Sequence, residues 1–222
     1  MHQRMLILDF GSQYTQLIAR RLREHQVYCE ILPFSTPWEK VQEHSPYIKG
    51  PIFSGSPASV RQENAPKPEE AWLTTGLPIL GICYGAQWMA QYCGGQVQAS
   101  KHREYGRSKV WVEQANPLFN GLENPGQVWM SHADSIVDPG TEIEVIARTE
   151  DIPVAAYVHK KKPWYGLQFH PEVYHSTQGS LLLKNFLFDV CGCTGDWTPG
   201  AFIEETIAAI KAKVGDAEVA MA

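Results

Sequence analysis

The residues best suited to covalent chemistry surround Cys83, in the segment Gly81-Ile82-Cys83-Tyr84-Gly85. A small residue two positions before the centre and a glycine two positions after it is the spacing of a nucleophile elbow, where a strand turns sharply into a helix. Only small neighbours let the two arms of such a turn pass closely. At the start of the following helix, unpaired N–H groups and the helix dipole stabilise a thiolate. The segment therefore predicts a nucleophilic Cys83; a buried cysteine that only packs is the simpler alternative.

A second segment, Gln168-Phe169-His170-Pro171-Glu172, contains a candidate base and a candidate orienting group. Residues 164–169 have the composition of a strand, and in an extended chain residues two apart point to the same side. Pro171 further restricts the backbone between His170 and Glu172. A cysteine nucleophile needs a base, and the base needs an acceptor that orients it. We predict these two roles for His170 and Glu172, with His132 as the first competing histidine.

Short apolar runs alternate with helical patterns through the first half of the chain. A helical stretch with Leu17, Ile18 and Leu22 on one face follows the first strand. Strands are predicted at 5–9, 28–32, 51–53 and 77–82, and a helix at 86–92. This alternation predicts an α/β fold with a mainly parallel sheet.

From about residue 96 the pattern changes to short runs rich in Val, Trp and Ile, separated by turn residues. The runs at 109–112, 128–130, 143–147 and 154–158 predict antiparallel additions to the sheet. A helix is predicted at 177–190. Another is predicted at 202–214, after Thr198 as N-cap and Pro199 as first helical residue.

The composition excludes several classes of function. The net charge of −5 over 222 residues gives no basic surface for nucleic acid, and no apolar run is long enough to span a membrane. Five cysteines, an odd number, argue against a disulfide framework and for the reducing cytoplasm. The pair Cys191 and Cys193 has no second Cys or His pair at zinc-like spacing, so no metal site is expected.

These segments together resemble class I (triad-type) glutamine amidotransferases, over nearly all of residues 4–195. The match comprises the Cys83 elbow, the His170 and Glu172 pair, and the turn Ser54-Gly55-Ser56-Pro57. The resemblance implies a three-layer α/β/α fold with a mixed, largely parallel central sheet and antiparallel additions. It also implies an oxyanion hole formed by the amides of Tyr84 and of Gly55 or its immediate neighbour.

The resemblance further implies which residues bind glutamine. Gln87, one helical turn after the nucleophile, resembles the glutamine side chain that holds the substrate in this family. The segment Ser131-His132-Ala133-Asp134 resembles the one that holds the amino-acid end of the substrate. With Ser56 of the oxyanion turn, these are the predicted substrate-binding residues. From the residues alone, the alternative for Gln87 is a solvent-facing helix residue, and the alternative for His132 is a structural loop histidine.

Within the class, three segments resemble the glutaminase domain of the GMP synthetase family: 9–21, 103–106 and 131–134. The passage from Trp197 to Glu205 resembles the one that leads into that family's ATP-pyrophosphatase domain. The resemblance implies an amidotransferase domain at 1–195 and a linker or helix at 196–222, leading towards an absent synthetase domain.

The implied function is glutamine hydrolysis that supplies ammonia for amination of XMP to GMP. Glutamine is then the ligand of this domain, which needs no cofactor of its own, while ATP and Mg²⁺ belong to the synthetase domain. Two alternatives stay open at this point. One is a glutaminase for another acceptor, such as the chorismate of anthranilate synthesis. The other is a catalytically silent regulatory module.

Overall fold

The computed structural model describes residues 2–215, apart from the side chains of residues 101–104 and 205. The side chains of Arg103, Glu104 and Glu205 and the predicted tail at 216–222 therefore lie outside the described residues. The helices are α1 (Thr15–Glu24), α2 (Tyr84–Tyr92), α3 (Gly179–Asn185) and α4 (Pro199–Val214). None of the helices in the described chain has the length and apolar character to cross a bilayer.

The strands of this part of the chain form one nine-stranded sheet in the order β2-β1-β3-β4-β9-β8-β7-β5-β6. Pairings from β2 through to β9 are parallel, and those from β9 to β6 are antiparallel. The strands are β1 (Arg4–Asp9), β2 (Tyr28–Pro33), β3 (Ile48–Phe53), β4 (Ile79–Ile82), β5 (Gln96–Val112), β6 (Gly126–Asp138), β7 (Ile143–Arg148), β8 (Ala156–His159) and β9 (Trp164–Leu167). The predicted mixed sheet with antiparallel additions is confirmed.

Helices cover both faces of the parallel strands because each helix carries an apolar face. On one side α1 buries Ile18, Ala19 and Leu22, in a core that also contains Leu182 and Leu183 of α3. On the other side α2 packs in a second core with the buried Trp72. The result is the predicted three-layer α/β/α arrangement.

The antiparallel part differs most from the boundaries that the sequence predicts. Strands β5 and β6 form a long hairpin of 17 and 13 residues, whereas the sequence predicts strands only at 109–112 and 128–130. The pairing shifts register between Ala99 and Glu104. The helix predicted at 177–190 starts at Gly179 and ends as a π-helix over Phe186–Val190.

Helix α4 begins as the sequence predicts. The Oγ1 of Thr198 accepts a hydrogen bond of 3.2 Å from the Ala201 amide, and Pro199 is the first helical residue. The ring of Phe202 stacks on Tyr28 at 5.5 Å, which attaches the start of α4 to strand β2. Beyond that contact the apolar side chains of Ile203, Ile207 and Ile210 are exposed.

Candidate active site

Cys83 lies at the corner between strand β4 and helix α2, with the strained backbone of an elbow. Its φ is +52° and its ψ is −102°, angles that residues with a side chain rarely adopt. The Cys83 amide donates to the Leu167 carbonyl at 2.7 Å, and the Gly85 amide donates to that of Ser54 at 3.1 Å. These two bonds fix the corner against strands β9 and β3.

The glycines beside Cys83 are required by close approach of the backbone. A Cβ at Gly81 would lie 2.6 Å from the Ala86 nitrogen, and a Cβ at Gly85 would overlap the Phe53 carbonyl oxygen. Neither contact can relax by moving a flexible side chain, since both are with backbone atoms. The turn therefore requires glycine at positions 81 and 85.

His170 and Glu172 follow strand β9, which pairs directly with β4. The Nδ1 of His170 lies 2.7 Å from Oε1 of Glu172, and both side chains are buried. The His170 amide donates to the Trp129 carbonyl at 3.0 Å, and the Ser176 hydroxyl donates to the His170 carbonyl at 2.5 Å. Because parallel neighbours end at the same edge of a sheet, the pair comes next to Cys83.

The surroundings of His170 favour its protonated form. Burial by itself lowers the pKa of His170. The Glu172 carboxylate and the hydrogen bond and charge of Cys83 outweigh that effect, so the pKa is raised well above its ordinary value. With Nδ1 occupied by Glu172, Nε2 is the nitrogen available to Cys83 and to a substrate. The arrangement can hold a thiolate–imidazolium pair.

The competing histidine, His132, has the opposite electrostatic character. Its side chain is buried, and burial lowers the pKa of His132 to about 4. At neutral pH it is therefore an uncharged imidazole and a weak base. Of the two described histidines that line the cavity, His170 is the one suited to accept a proton from a thiol.

Cys83 opens into a cavity of about 640 Å³ at the edge of the sheet. The predicted residues Gly55, Ser56, Tyr84, Gln87, Ser131, His132, Ala133, Asp134 and His170 all line it, and Glu172 lies behind His170. Among the described residues, the N–H groups of Gly55, Ser56 and Tyr84 have no hydrogen-bond acceptor. These amides can receive an anionic oxygen formed next to the sulfur.

The sequence motif did not identify Gln168 as a residue of the site. Its Nε2 lies 4.0 Å from Sγ of Cys83, and the Ser131 carbonyl lies 3.8 Å from the same sulfur. Gln87 is buried on α2, not solvent-facing, and its Nε2 donates to the Asp134 carbonyl at 2.7 Å and to Oε1 of Gln168 at 3.3 Å. A glutamine two residues before the predicted base, in an otherwise apolar segment, was the available signal for Gln168.

Two further residues of the cavity, Arg61 and Tyr14, lie in loops and were not predicted as site residues. Arg61 donates from Nη2 to Oδ1 of Asp134 at 2.9 Å, and the Ser59 hydroxyl donates to Oδ2 of the same carboxylate. Tyr14, in the loop before α1, packs the edge of its ring against His170 at 5.1 Å. Nothing in the local sequence pairs Arg61 with Asp134, which lies 73 residues further along the chain.

One cluster in the described chain has the composition of a metal site: Cys93, Glu142 and His159, with ligand atoms within 4.8 Å of one another. The Nδ1 of His159 accepts hydrogen bonds from the amides of Lys161 and Lys162 at 3.0 and 3.2 Å, so the ring proton lies on Nε2. Nε2 then has no lone pair for a metal. Burial also raises the pKa of Cys93 to about 11, which disfavours the thiolate ligand. The donor set therefore does not fit a metal ion.

The fold and these side chains define a three-layer α/β protein with a candidate Cys–His–Glu triad at the edge of its sheet. The family model "Glutamine amidotransferase class-I" matches residues 6–190. The chain belongs to the class I glutamine amidotransferase family.

The relatives with similar sequences are longer proteins. The chain is 50% identical, over all of its 222 residues, to a GMP synthase (glutamine-hydrolyzing) of Cytophaga hutchinsonii, and covers 43% of that protein. It is 49% identical to one of Caldanaerobacter subterraneus subsp. tengcongensis over 96% of this chain and 41% of that protein. The chain thus spans less than half the length of these relatives.

A solved structure of similar length comes from Thermoplasma acidophilum and is provisionally described as one subunit of a GMP synthase. It matches with a TM-score of 0.74 and 28% identity, over 93% of this chain and 98% of that one. A glutamine amidotransferase of Thermotoga maritima matches with a TM-score of 0.68 and 18% identity, over 86% and 99%. The second likeness supports the fold alone.

Proposed function

We propose that this chain hydrolyses glutamine to glutamate and ammonia through a thioester on Cys83, with His170 as base and acid and Glu172 as orienting carboxylate. The observation that carries the proposal is the buried His170–Glu172 pair next to an elbow cysteine that opens into a cavity. A catalytically silent module would have no need to keep a strained cysteine and a buried carboxylate together, since both cost stability.

In the first half of the reaction the Cys83 thiolate attacks the side-chain amide carbon of glutamine. A C–S bond forms, and the carbonyl oxygen becomes an oxyanion facing the amides of Tyr84 and of Gly55 or Ser56. The His170 imidazolium then gives its proton to the departing nitrogen. The C–N bond breaks, ammonia leaves and a γ-glutamyl thioester stays on Cys83.

In the second half, His170, now neutral, takes a proton from water, which attacks the thioester carbon. The C–S bond breaks, glutamate leaves, and the thiolate and imidazolium are restored. The net reaction is glutamine plus water to glutamate plus ammonia. Glu172 holds Nδ1 of His170 by the hydrogen bond of 2.7 Å, so that Nε2 faces the reacting atoms.

The substrate-binding residues are proposed from their place on the cavity wall. Gln87 and Gln168 form a buried polar floor under Cys83, suited to the substrate's side-chain amide. Ser131, Ala133 and Asp134 of strand β6 also line the cavity, and the Asp134 carbonyl accepts the hydrogen bond from Gln87. An uncharged His132 beside them can donate or accept a hydrogen bond at neutral pH.

The proposed acceptor of the ammonia is XMP, bound to a synthetase domain or subunit that also holds ATP and Mg²⁺. This rests on the sequence relatives, named GMP synthase (glutamine-hydrolyzing) and more than twice as long as the match. We assign residues 1–195 to the amidotransferase domain, without a cofactor, and residues 196–222 to the linker towards the synthetase part. We also propose that the reaction takes place in the cytoplasm.

The acceptor can be tested with glutamine labelled with ¹⁵N in its side-chain amide. The chain is mixed with the synthetase portion of a GMP synthase, XMP, ATP and Mg²⁺, and the product is analysed by mass spectrometry. We expect ¹⁵N in the 2-amino group of GMP. A parallel reaction contains an anthranilate synthase partner and chorismate in place of the synthetase portion and XMP. The alternative acceptor is favoured if glutamate is released without labelled GMP in the first reaction and labelled anthranilate forms in the second.

A further inference from the structure

The loop between β1 and α1 brings a hydroxyl group into the cavity that no step of the proposed reaction uses. Ser12 lines the cavity together with Cys83 and His170. A Cβ at Gly55 would lie 3.3 Å from Oγ of Ser12 and 3.4 Å from Cε1 of His170, so the hydroxyl and the imidazole approach the same point. Cε1 is bonded to Nε2, the nitrogen that exchanges protons in the proposed reaction. The Ser12 hydroxyl therefore lies near the base, on the side of the oxyanion turn.

The position of this loop is fixed at both of its ends. The Thr15 hydroxyl donates to Oδ1 of Asp9 at 2.7 Å, and the Thr15 amide donates to the Ser12 carbonyl at 3.3 Å. Tyr14, two residues after Ser12, packs its ring against His170 at 5.1 Å. A hydroxyl on such a loop loses little conformational freedom when it binds a small molecule.

The Ser12 hydroxyl keeps capacity for further hydrogen bonds. Its oxygen accepts one from the Tyr14 amide at 3.1 Å, and a hydroxyl has two lone pairs and one proton. One lone pair is therefore left. Among the described residues, none accepts the hydroxyl proton, and the side chain is half-buried at the cavity wall. Ser12 can bind a small polar molecule in the cavity as acceptor or as donor.

The step that needs such a group is the hydrolysis of the thioester. The attacking water must direct a lone pair at the thioester carbon while it gives a proton to Nε2 of His170. A single hydrogen bond to Nε2 leaves the water free to rotate about that bond. A second hydrogen bond, to a fixed group near the imidazole, removes this freedom and orients the water for attack.

We propose that Ser12 is a further catalytic residue, which holds the hydrolytic water by accepting a hydrogen bond from it while His170 takes its other proton. The inference rests on the proposed function. The water oxygen bonds to the thioester carbon, the C–S bond breaks and Cys83 leaves as the thiolate. Ser12 neither gains nor loses a proton. Its role belongs to this half of the reaction alone, since the attack of Cys83 on glutamine involves no water.

The test uses hydroxylamine, which cleaves the same thioester to γ-glutamyl hydroxamate where water gives glutamate. Hydroxylamine is the stronger nucleophile, so its attack depends less on a group that orients it. The ratio of the two products, at a fixed hydroxylamine concentration, does not depend on how fast the thioester forms. It is measured with the synthetase portion of a GMP synthase, XMP, ATP and Mg²⁺ present, in wild type, Ser12→Ala and Ser12→Thr.

The matched control is Thr75→Val. The Thr75 hydroxyl is also on a half-buried residue and also accepts a hydrogen bond from the amide two residues further on, that of Leu77 at 3.3 Å. It lies outside the cavity. The control therefore removes the same kind of local bond without a change at the site.

We expect the same product ratio in wild type and Thr75→Val. In Ser12→Ala the ratio of hydroxamate to glutamate should rise about tenfold, equivalent to about 1.4 kcal/mol for one hydrogen bond. Ser12→Thr keeps the hydroxyl and should stay near the wild-type ratio. An unchanged ratio in Ser12→Ala, even with slower turnover, overturns the proposal, and so does an equal rise in Ser12→Thr. If wild type forms neither product and a diazoketone analogue of glutamine does not label Cys83, the proposed function itself fails and this inference with it.

Discussion

At the scale of single residues, Cys83 differs from the other cysteines in its surroundings, since all five are buried. Burial raises the thiol pKa of Cys29, Cys93 and Cys193 to about 11, and it raises that of Cys191 as well. Cys83 alone stands at a helix start beside a candidate base. We therefore expect stoichiometric labelling of Cys83 by a diazoketone or chloroketone analogue of glutamine, as mapped by peptide mass analysis. Equal labelling at any other cysteine contradicts this assignment.

Glu172 should control the pH range of activity through His170. In the proposed mechanism the His170 imidazolium delivers a proton to the leaving nitrogen, so we expect activity below the raised pKa of His170 and its loss as the pH rises through that pKa. In Glu172→Gln, burial still lowers the pKa of His170, while the carboxylate that raised it is gone. We expect residual activity whose alkaline limb lies at lower pH, measured as kcat/KM for glutamate release across the pH range.

The control for this profile is Glu144→Gln, which removes an exposed carboxylate on strand β7. It should leave the alkaline limb in place. An alkaline limb of Glu172→Gln that coincides with that of wild type would show that Glu172 does not raise the pKa of His170.

Cys83→Ala and His170→Ala should each abolish turnover of glutamine, because they remove the nucleophile and the proton carrier. Near-normal activity in His170→Ala would show that another histidine acts as the base.

At the scale of elements, the elbow depends on the absence of side chains at its glycines. Gly85→Ala places a methyl group against the Phe53 carbonyl oxygen, a backbone atom of strand β3. We expect a loss of about 1–3 kcal/mol in the free energy of unfolding, measured with urea. The control is Gly200→Ala, in the first turn of α4, where no atom lies within 4 Å of the added Cβ. Equal stability of the two variants would contradict this account of the elbow.

The sequence predicts the elements best where hydrophobic periodicity and local caps act together. Helix α4 begins at Pro199 with its Thr198 cap, and the strands of the parallel part lie close to their predicted places. Strand β6 is predicted only in part because His132 and Asp134 occupy buried positions where the apolar pattern should continue. Polar residues of the candidate site stand there in place of hydrophobic ones, so the alternating hydrophobic pattern of the strand ends at the site.

The candidate site could be predicted where its residues lie close to one another in the chain. His170 and Glu172 are two residues apart, and the elbow around Cys83 is a local motif. The contacts of Gln168 with Cys83 and of Arg61 with Asp134 join residues 85 and 73 positions apart. Such pairs depend on strand order and on the path of a long loop, which local patterns do not specify.

At the scale of the whole molecule, the proposal requires coupling to a synthetase partner. Hydrolysis without an acceptor wastes glutamine, so we expect weak glutaminase activity alone. A rise of about tenfold or more is expected with the synthetase portion, XMP, ATP and Mg²⁺, equivalent to about 1.4 kcal/mol of barrier. The exposed apolar face of α4, with Ile203, Ile207 and Ile210, is the proposed part of the connection. Full activity alone, unchanged by the loaded partner, would refute the coupling.

The central claim is that Cys83 makes this chain a glutaminase, and glutamate release from glutamine in the presence of the loaded partner tests it most directly. Wild type, Cys83→Ala and Cys93→Ala are assayed side by side; Cys93 is a buried cysteine outside the cavity. We predict equal rates of glutamate release from wild type and from Cys93→Ala, and none above background from Cys83→Ala. Glutamate release by Cys83→Ala at the wild-type rate would contradict the account.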